Sequence, residues 1–308
     1  MRKGVPFAIL FVIFFALVFY SVHDARNTRD CPFIESAGEV NGSAVAVFGN
    51  VTIIKPPHEE GFVVRNDNVS YFVDASQAYF FPWGFVVSEV GQGMKVPKYV
   101  LKYGDDPIIG QALKNVSVES ALHRGEVQRI VACDYSGRLL WESLQPLSYL
   151  WEMRREGKIL PFERGEGSFD VLMDEGGGYL FVARFFGKPR YRFGTDFLHI
   201  YGREGLVREV ELGDFAEPPA HVFFASNGSY SLFGFEILEG DGTPAGGRVF
   251  VFRGADVVFN RTFLRPEECM CHVIHGWGEV TAEGCATFGL LEGVGEYCNG
   301  TFRYSEGG

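Results

Sequence analysis

The chain has 308 residues, of which 46% are hydrophobic and 15% aromatic, with a net charge of −11; this is a globular composition, too apolar for a disordered chain. Beyond residue 29 there are 24 basic and 38 acidic residues, so no basic stripe is available to neutralise phosphates and nucleic acid is not an expected partner. Thirty Phe, 13 Tyr and 39 Gly suit short strands joined by tight turns better than a helical bundle.

From Val5 to Val22 the chain runs 18 residues without a charge, preceded by Arg2 and Lys3, which is long enough to cross a bilayer. Bulky Phe19 and Tyr20 and the lack of an Ala-x-Ala pattern favour a retained signal-anchor, residues 1–22, over a cleaved signal peptide. Residues 23–30 form a charged stalk. Asn-x-Ser/Thr occurs at Asn41, Asn50, Asn68, Asn115, Asn227, Asn260 and Asn299, seven of the nine Asn in the chain. Chance would supply about one, so residues 31–308 are expected to be an extracytoplasmic, glycosylated domain on a single-pass membrane protein, with those seven sites on its surface.

From Cys31 to Lys102, short apolar runs broken by Gly, Asn and Pro56-Pro57 read as strands. The aromatic run Tyr79-Phe80-Phe81-Pro82-Trp83-Gly84-Phe85 is core rather than a binding platform. Two short helices are expected. Asp106-Pro107 caps one over Ile108–Lys114, and Pro146 opens another in which Leu147, Leu150, Trp151 and Arg154 share a face until Gly157, an insertion over about 143–158.

A repeat of 51 residues follows. Asp174–Phe181 falls over Ala225–Leu232, Leu198–Tyr201 over Val249–Phe252, and Leu206-Val207 over Val257-Val258. Each copy reads as four short strands, so residues 168–212 and 219–263 are expected to form successive four-stranded antiparallel units. The hairpin Ile130–Glu142, with its Ser-Gly-Arg-Leu-Leu-Trp turn, together with Tyr201–Val207 and Phe252–Val258, resembles the WD40-like and PQQ-like β-propeller superfamily. The resemblance covers residues 127–300, is clearest over 127–263, and implies an all-β propeller-like fold. A β-sandwich is the alternative. It carries over no functional residue. Residues 264–308 read as a Cys-rich partial blade, to be completed by strands from the N-terminal region with a clasp from Cys31 to the C-terminal cysteines.

The six cysteines, Cys31, Cys133, Cys269, Cys271, Cys285 and Cys298, are expected to be disulfide-bonded in an extracytoplasmic domain. The alternative is a soft metal site on Cys269, Cys271, His272 and His275. Asp174-Glu175-Gly reads as hairpin chemistry rather than a calcium loop, and His199 as a satisfied core or surface histidine. There is no Gly-x-Ser-x-Gly, His-Glu-x-x-His or phosphate-loop motif, so no catalytic residue or cofactor is assigned. The leading expectation is a cell-surface binding or assembly module whose partner is a protein or glycan. A tethered carbohydrate-active hydrolase and a metal or redox accessory protein are the alternatives.

Overall fold

The computed structural model describes residues 30–306, apart from 38–41, 58, 68, 76, 103–116, 156–157, 187–195, 214–218, 239–243, 266–275 and 292. The described chain is all-β: 22 strands and no helix. Among the described residues no helix is long and apolar enough to cross a membrane, and Val5–Val22 lies outside them.

The strands form five four-stranded antiparallel units in chain order. The first is β2 (Ser43–Phe48), β3 (Val51–Lys55), β4 (Phe62–Arg65) and β5 (Ser70–Val73), with the short β1 (Ile34–Ser36) added beside β5. The second comprises β6 (Ala78–Phe81), the start of β7 (Gly84–Lys102), the end of β8 (Ser117–Cys133) and β9 (Leu139–Pro146). The third uses the end of β11 (Lys158–Gly176), then β12 (Tyr179–Phe186), β13 (Asp196–Gly202) and β14 (Gly205–Gly213). In the fourth, β15 (Ala220–Asn227), β16 (Tyr230–Leu238), β17 (Pro244–Arg253) and β18 (Asp256–Leu264) repeat that order. The fifth is β19 (Trp277–Val280), β20 (Ala286–Leu290), β21 (Gly293–Cys298) and β22 (Thr301–Glu306).

The repeat expected from the 51-residue spacing is therefore present, with the same strand order in both copies. Its turns keep the spacing, Gly177-Gly178 answering Gly228-Ser229. The strands make four hydrogen-bonded sheets, of five, nine, four and four strands, the second and third units sharing the nine-stranded one, which a two-sheet sandwich does not accommodate.

Alternation along the strands explains why the sheets stack. In β12, Leu180 and Val182 join Val86, Ile130 and Ala132 of the second unit. Their neighbours Phe181, Ala183 and Phe185 point the other way and meet Phe233, Phe235, Phe250 and Phe252 of the fourth. Leu232, Val249 and Val251 then pack on Ala286, Phe288 and Leu290 of the fifth, while Val51, Ile53, Val64, Tyr71 and Val73 of the first cover Phe85, Val87 and Val131. Each fully buried Phe contributes about 2 kcal/mol of transfer free energy, and an internal sheet is apolar on both faces, so it needs a neighbour on each side.

Two expectations about the insertion and the chain ends are overturned. Where a helix was expected over 143–158, the chain forms β10 (Ser148–Arg155), parallel to β7 and antiparallel to β11. The remote halves of β7, β8 and β11 run past the second and third units and, with β10, make an inserted sheet in the order β8-β7-β10-β11. Its Leu101 and Tyr149 bury against Phe169 and Phe186 of the third unit, so sheet pairing and aromatic packing override the helical spacing of Leu147, Leu150 and Trp151. The Ile108–Lys114 helix lies outside the described residues. The fifth unit, expected to be partial, has all four strands of its own. Among the described residues no core cluster joins it to the first unit.

Candidate functional site

Within every unit the first and second strands, and again the third and fourth, are joined by tight turns, so these turns share one end of the stack. Neighbouring units are laced together there. Asn66 Nδ2 donates to Tyr135 O (3.0 Å), Trp83 Nε1 to Gly178 O (2.9 Å) and Ser226 Oγ to Glu175 O (3.1 Å), while within the fourth unit Gly254 N donates to Ser229 O (2.7 Å). The aromatic run is core as expected: Phe81 and Phe85 are buried, and Trp83 stacks on Phe81 at 4.8 Å. Glu175 Oε2 accepts from Phe80 N at 3.2 Å. Burial raises the Asp174 and Glu175 carboxyl pKa values above the ordinary range, and burial with Asp174 nearby pushes Tyr79 up to about 12. These residues fasten adjacent turns, as the hairpin reading of Asp174-Glu175 requires.

Away from these turns lie further buried polar groups, three of which carry side-chain partners that tie strands or units together. Arg184, at the end of β12, is 3% exposed, stacks over Phe169 at 4.6 Å, and donates to Gln145 Oε1 (2.8 Å) and to Pro146 O. Burial lowers its pKa to about 10. It pins the inserted sheet's exit to the third unit through neutral acceptors and a ring. His199 on β13 pairs through Nε2 with Glu209 on β14 at 2.8 Å, while its buried Nδ1 has no hydrogen-bond partner among the described residues, so the satisfied histidine expected from its place in the strand is only half satisfied.

Burial holds the His199 imidazole below its ordinary pKa of 6.5, with Glu209 opposing. Below about pH 6.5 the unfolded chain therefore binds the proton more readily than the folded one, and stability falls as pH falls through that window. His199→Gln is expected to flatten this slope. Urea midpoints at pH 7.5 and 5 check it, and an unchanged slope counts against the assignment.

The third group is the most elaborate. Glu236 on β16 is 1% exposed and accepts from Leu291 N (3.2 Å), while its other oxygen meets His221 Nδ1 (2.8 Å). A register shift between Ala220 and Phe223 puts His221 in a bulge of β15 with φ 47°, and Leu291 has φ 50°. Among the described residues only three non-glycine residues have positive φ, and two of them converge on this carboxylate. Such backbone costs about 1–3 kcal/mol per residue and persists where surrounding contacts hold it. An imidazole oriented by a buried carboxylate is a fixed hydrogen-bonding group at the seam of the fourth and fifth units. Neither Arg184 nor Glu236 stood out in the sequence reading. The available signal was a lone charge inside an apolar strand, in Leu180–Phe186 and in Phe233–Ile237.

The cysteines pair differently from the expected clasp. Cys31 bonds to Cys133 in the second unit (Cα–Cα 5.9 Å) and Cys285 to Cys298 within the fifth (4.2 Å). The isolated bridge of Asp30 with Arg138 delivers the N-terminal segment to the turn after β8, so Cys31 meets Cys133 first. Cys269, Cys271, His272 and His275 lie outside the described residues, and among those described no group of three His, Cys, Asp or Glu could hold a metal ion. Of the sequon asparagines, Asn50, Asn227, Asn260 and Asn299 are described and all are exposed. Asn41, Asn68 and Asn115 lie outside the described residues.

No family model matches the chain, and no curated protein matches it. A solved structure described as "Structure of Dos1 propeller" is similar over 92% of this chain and 75% of that one, at 10% identity and a TM-score of 0.31, a likeness too slight to carry an argument.

Proposed function

We propose that the chain is a membrane-tethered, glycosylated, propeller-type binding module of the cell surface. The observation that carries this reading is the exposure of all four described sequon asparagines. Three of them, Asn50, Asn227 and Asn299, stand at or beside tight turns on one end of the stack, and the fourth lies on the outer strand β18. Two disulfides among the described residues suit the same compartment.

The tether also gives the module an orientation. Asp30 bridges to Arg138 at the turn end, so the described chain is entered from that end. The turn end with its glycans then faces the bilayer, and the end with the long connections and the Glu236 group faces outward. Native full-length material is expected to exceed its chain mass of 34.3 kDa by several glycans and to partition with membranes. An intact mass equal to the bare chain would remove the glycosylated reading. Loss of roughly 22–30 N-terminal residues would replace the tether with a cleaved signal peptide.

A further inference from the structure

We propose that the face of the fifth unit turned away from the fourth, uncovered among the described residues, binds carbohydrate, with Trp277 as the stacking platform. The partner class deepens the binding-module reading above and rests on it. In the fifth unit, Val280, Ala286 and Phe288 turn toward the fourth unit, so alternation sends Trp277, Glu279, Thr287, Glu296 and Arg303 to the opposite face. Two cross-strand rows form there, Trp277-Gly289-Val294-Ser305 and Glu279-Thr287-Glu296-Arg303. Trp277 is 42% exposed and Val294 38%. Among the described residues no hydrogen bond or ion pair occupies the side chains of Glu279, Thr287, Glu296 or Arg303.

Trp277 lies flat on Gly289: a Cβ there would sit 2.1 Å from its indole Nε1 and 2.7 Å from Cδ1. Covering a strand glycine with an aromatic ring is a structural device in its own right, and this chain uses it repeatedly. Tyr149 covers Gly167, Phe223 covers Gly234, Phe288 covers Gly295 and Tyr304 covers Gly293. Those four rings are all packed into core clusters. Trp277 belongs to none of the clusters and makes no ring contact among the described residues, so one face of the indole rests on backbone and the other is presented to solvent.

The setting selects the occupant. An amphipathic helix or a second sheet would need more apolar surface than Trp277 and Val294 supply. A polyanion would meet two carboxylates and one guanidinium. A pyranose ring offers C–H bonds to the indole and hydroxyls to the carboxylate, hydroxyl and guanidinium groups of the neighbouring row on the same sheet face.

The test is isothermal titration of the full-length chain, held in lauryldimethylamine oxide micelles that carry no sugar headgroup, with cellohexaose, maltohexaose and mannohexaose. Saturable binding of one of them is expected, weakened about tenfold or more in Trp277→Ala and kept within about threefold in Trp277→Phe. If Trp277→Ala melts early, Thr287→Val and Arg303→Ala decide instead, since both positions are on the polar face and Arg303 is exposed. No saturable binding by any of the three sugars, or binding unchanged in the variants, overturns the proposal. The mass and membrane measurements above bear on the tether and glycans alone, so either idea can fail without the other.

Discussion

Replacing Cys31 and Cys133 together by Ala is expected to lower the unfolding free energy by about 5 kcal/mol, whereas the Cys285→Ala, Cys298→Ala pair should lose about 3 kcal/mol. The first bond closes a sequence separation of 102 residues and the second only 13. A cross-link acts mainly by removing loop-closure freedom from the unfolded chain, and that freedom grows with the logarithm of loop length. The long bond also fastens a weakly paired element. β1 has three residues and among the described residues pairs only with β5, so without the bond the stretch from Asp30 to Ser36 is expected to exchange its amide hydrogens first. Urea midpoints of the two double variants, with native-state hydrogen exchange, check both statements. Equal losses would mean that local strain or residual structure outweighs loop length.

The repeat was legible where its copies are uninterrupted. Residues 169–264 carry two units whose turns stay 51 residues apart, because Gly177-Gly178 and Gly228-Ser229 sit in equivalent hairpins and the glycines take positive φ. The first unit escaped notice because its strands are four to six residues long, too short to establish a period. Of the second unit only the hairpin Ile130–Glu142 was legible, because β7 and β8 leave the unit midway to build the inserted sheet, with a register shift between Gly91 and Met94. The helix read at Pro146–Gly157 failed for a different reason. An apolar spacing near 3.6 residues also arises when a strand buries Tyr149 on one face and keeps Leu150 and Trp151 half-buried, and only the two flanking strands settle the choice. The disulfide partner of Cys31 was out of reach of the sequence, since connectivity follows from which turn the N-terminal segment crosses. Of the polar groups, alternation placed His199 in a strand, but only its Nε2 is paired, with Glu209, and the buried Nδ1 has no partner among the described residues. Glu236 was not legible, because its role depends on His221 and Leu291, 15 and 55 residues away.

That dependence makes Glu236 the most demanding single position. Glu236→Ala should cost about 3–5 kcal/mol, the range for removing one partner of a buried, hydrogen-bonded charge. The loss leaves the Leu291 N–H without its acceptor, and it releases two positive-φ residues that the carboxylate holds. Glu236→Gln keeps an acceptor for Leu291 N and the shape of the side chain. It should cost less than half as much, unless the charge on Glu236 is what orients His221. His221→Ala supplies the third corner of the comparison. If Glu236 serves mainly to fix the imidazole, the effects of Glu236→Gln and His221→Ala will fall well short of additive, with an interaction free energy of about 1–3 kcal/mol. If it serves mainly to bind the fourth unit to the fifth through Leu291 N, the two effects will add. Because Leu291 belongs to the core cluster shared by those units, Glu236→Ala should also loosen the fifth unit as a whole. Hydrogen exchange is expected to show this as increased opening across β19 to β22, with β12 and β13 left protected.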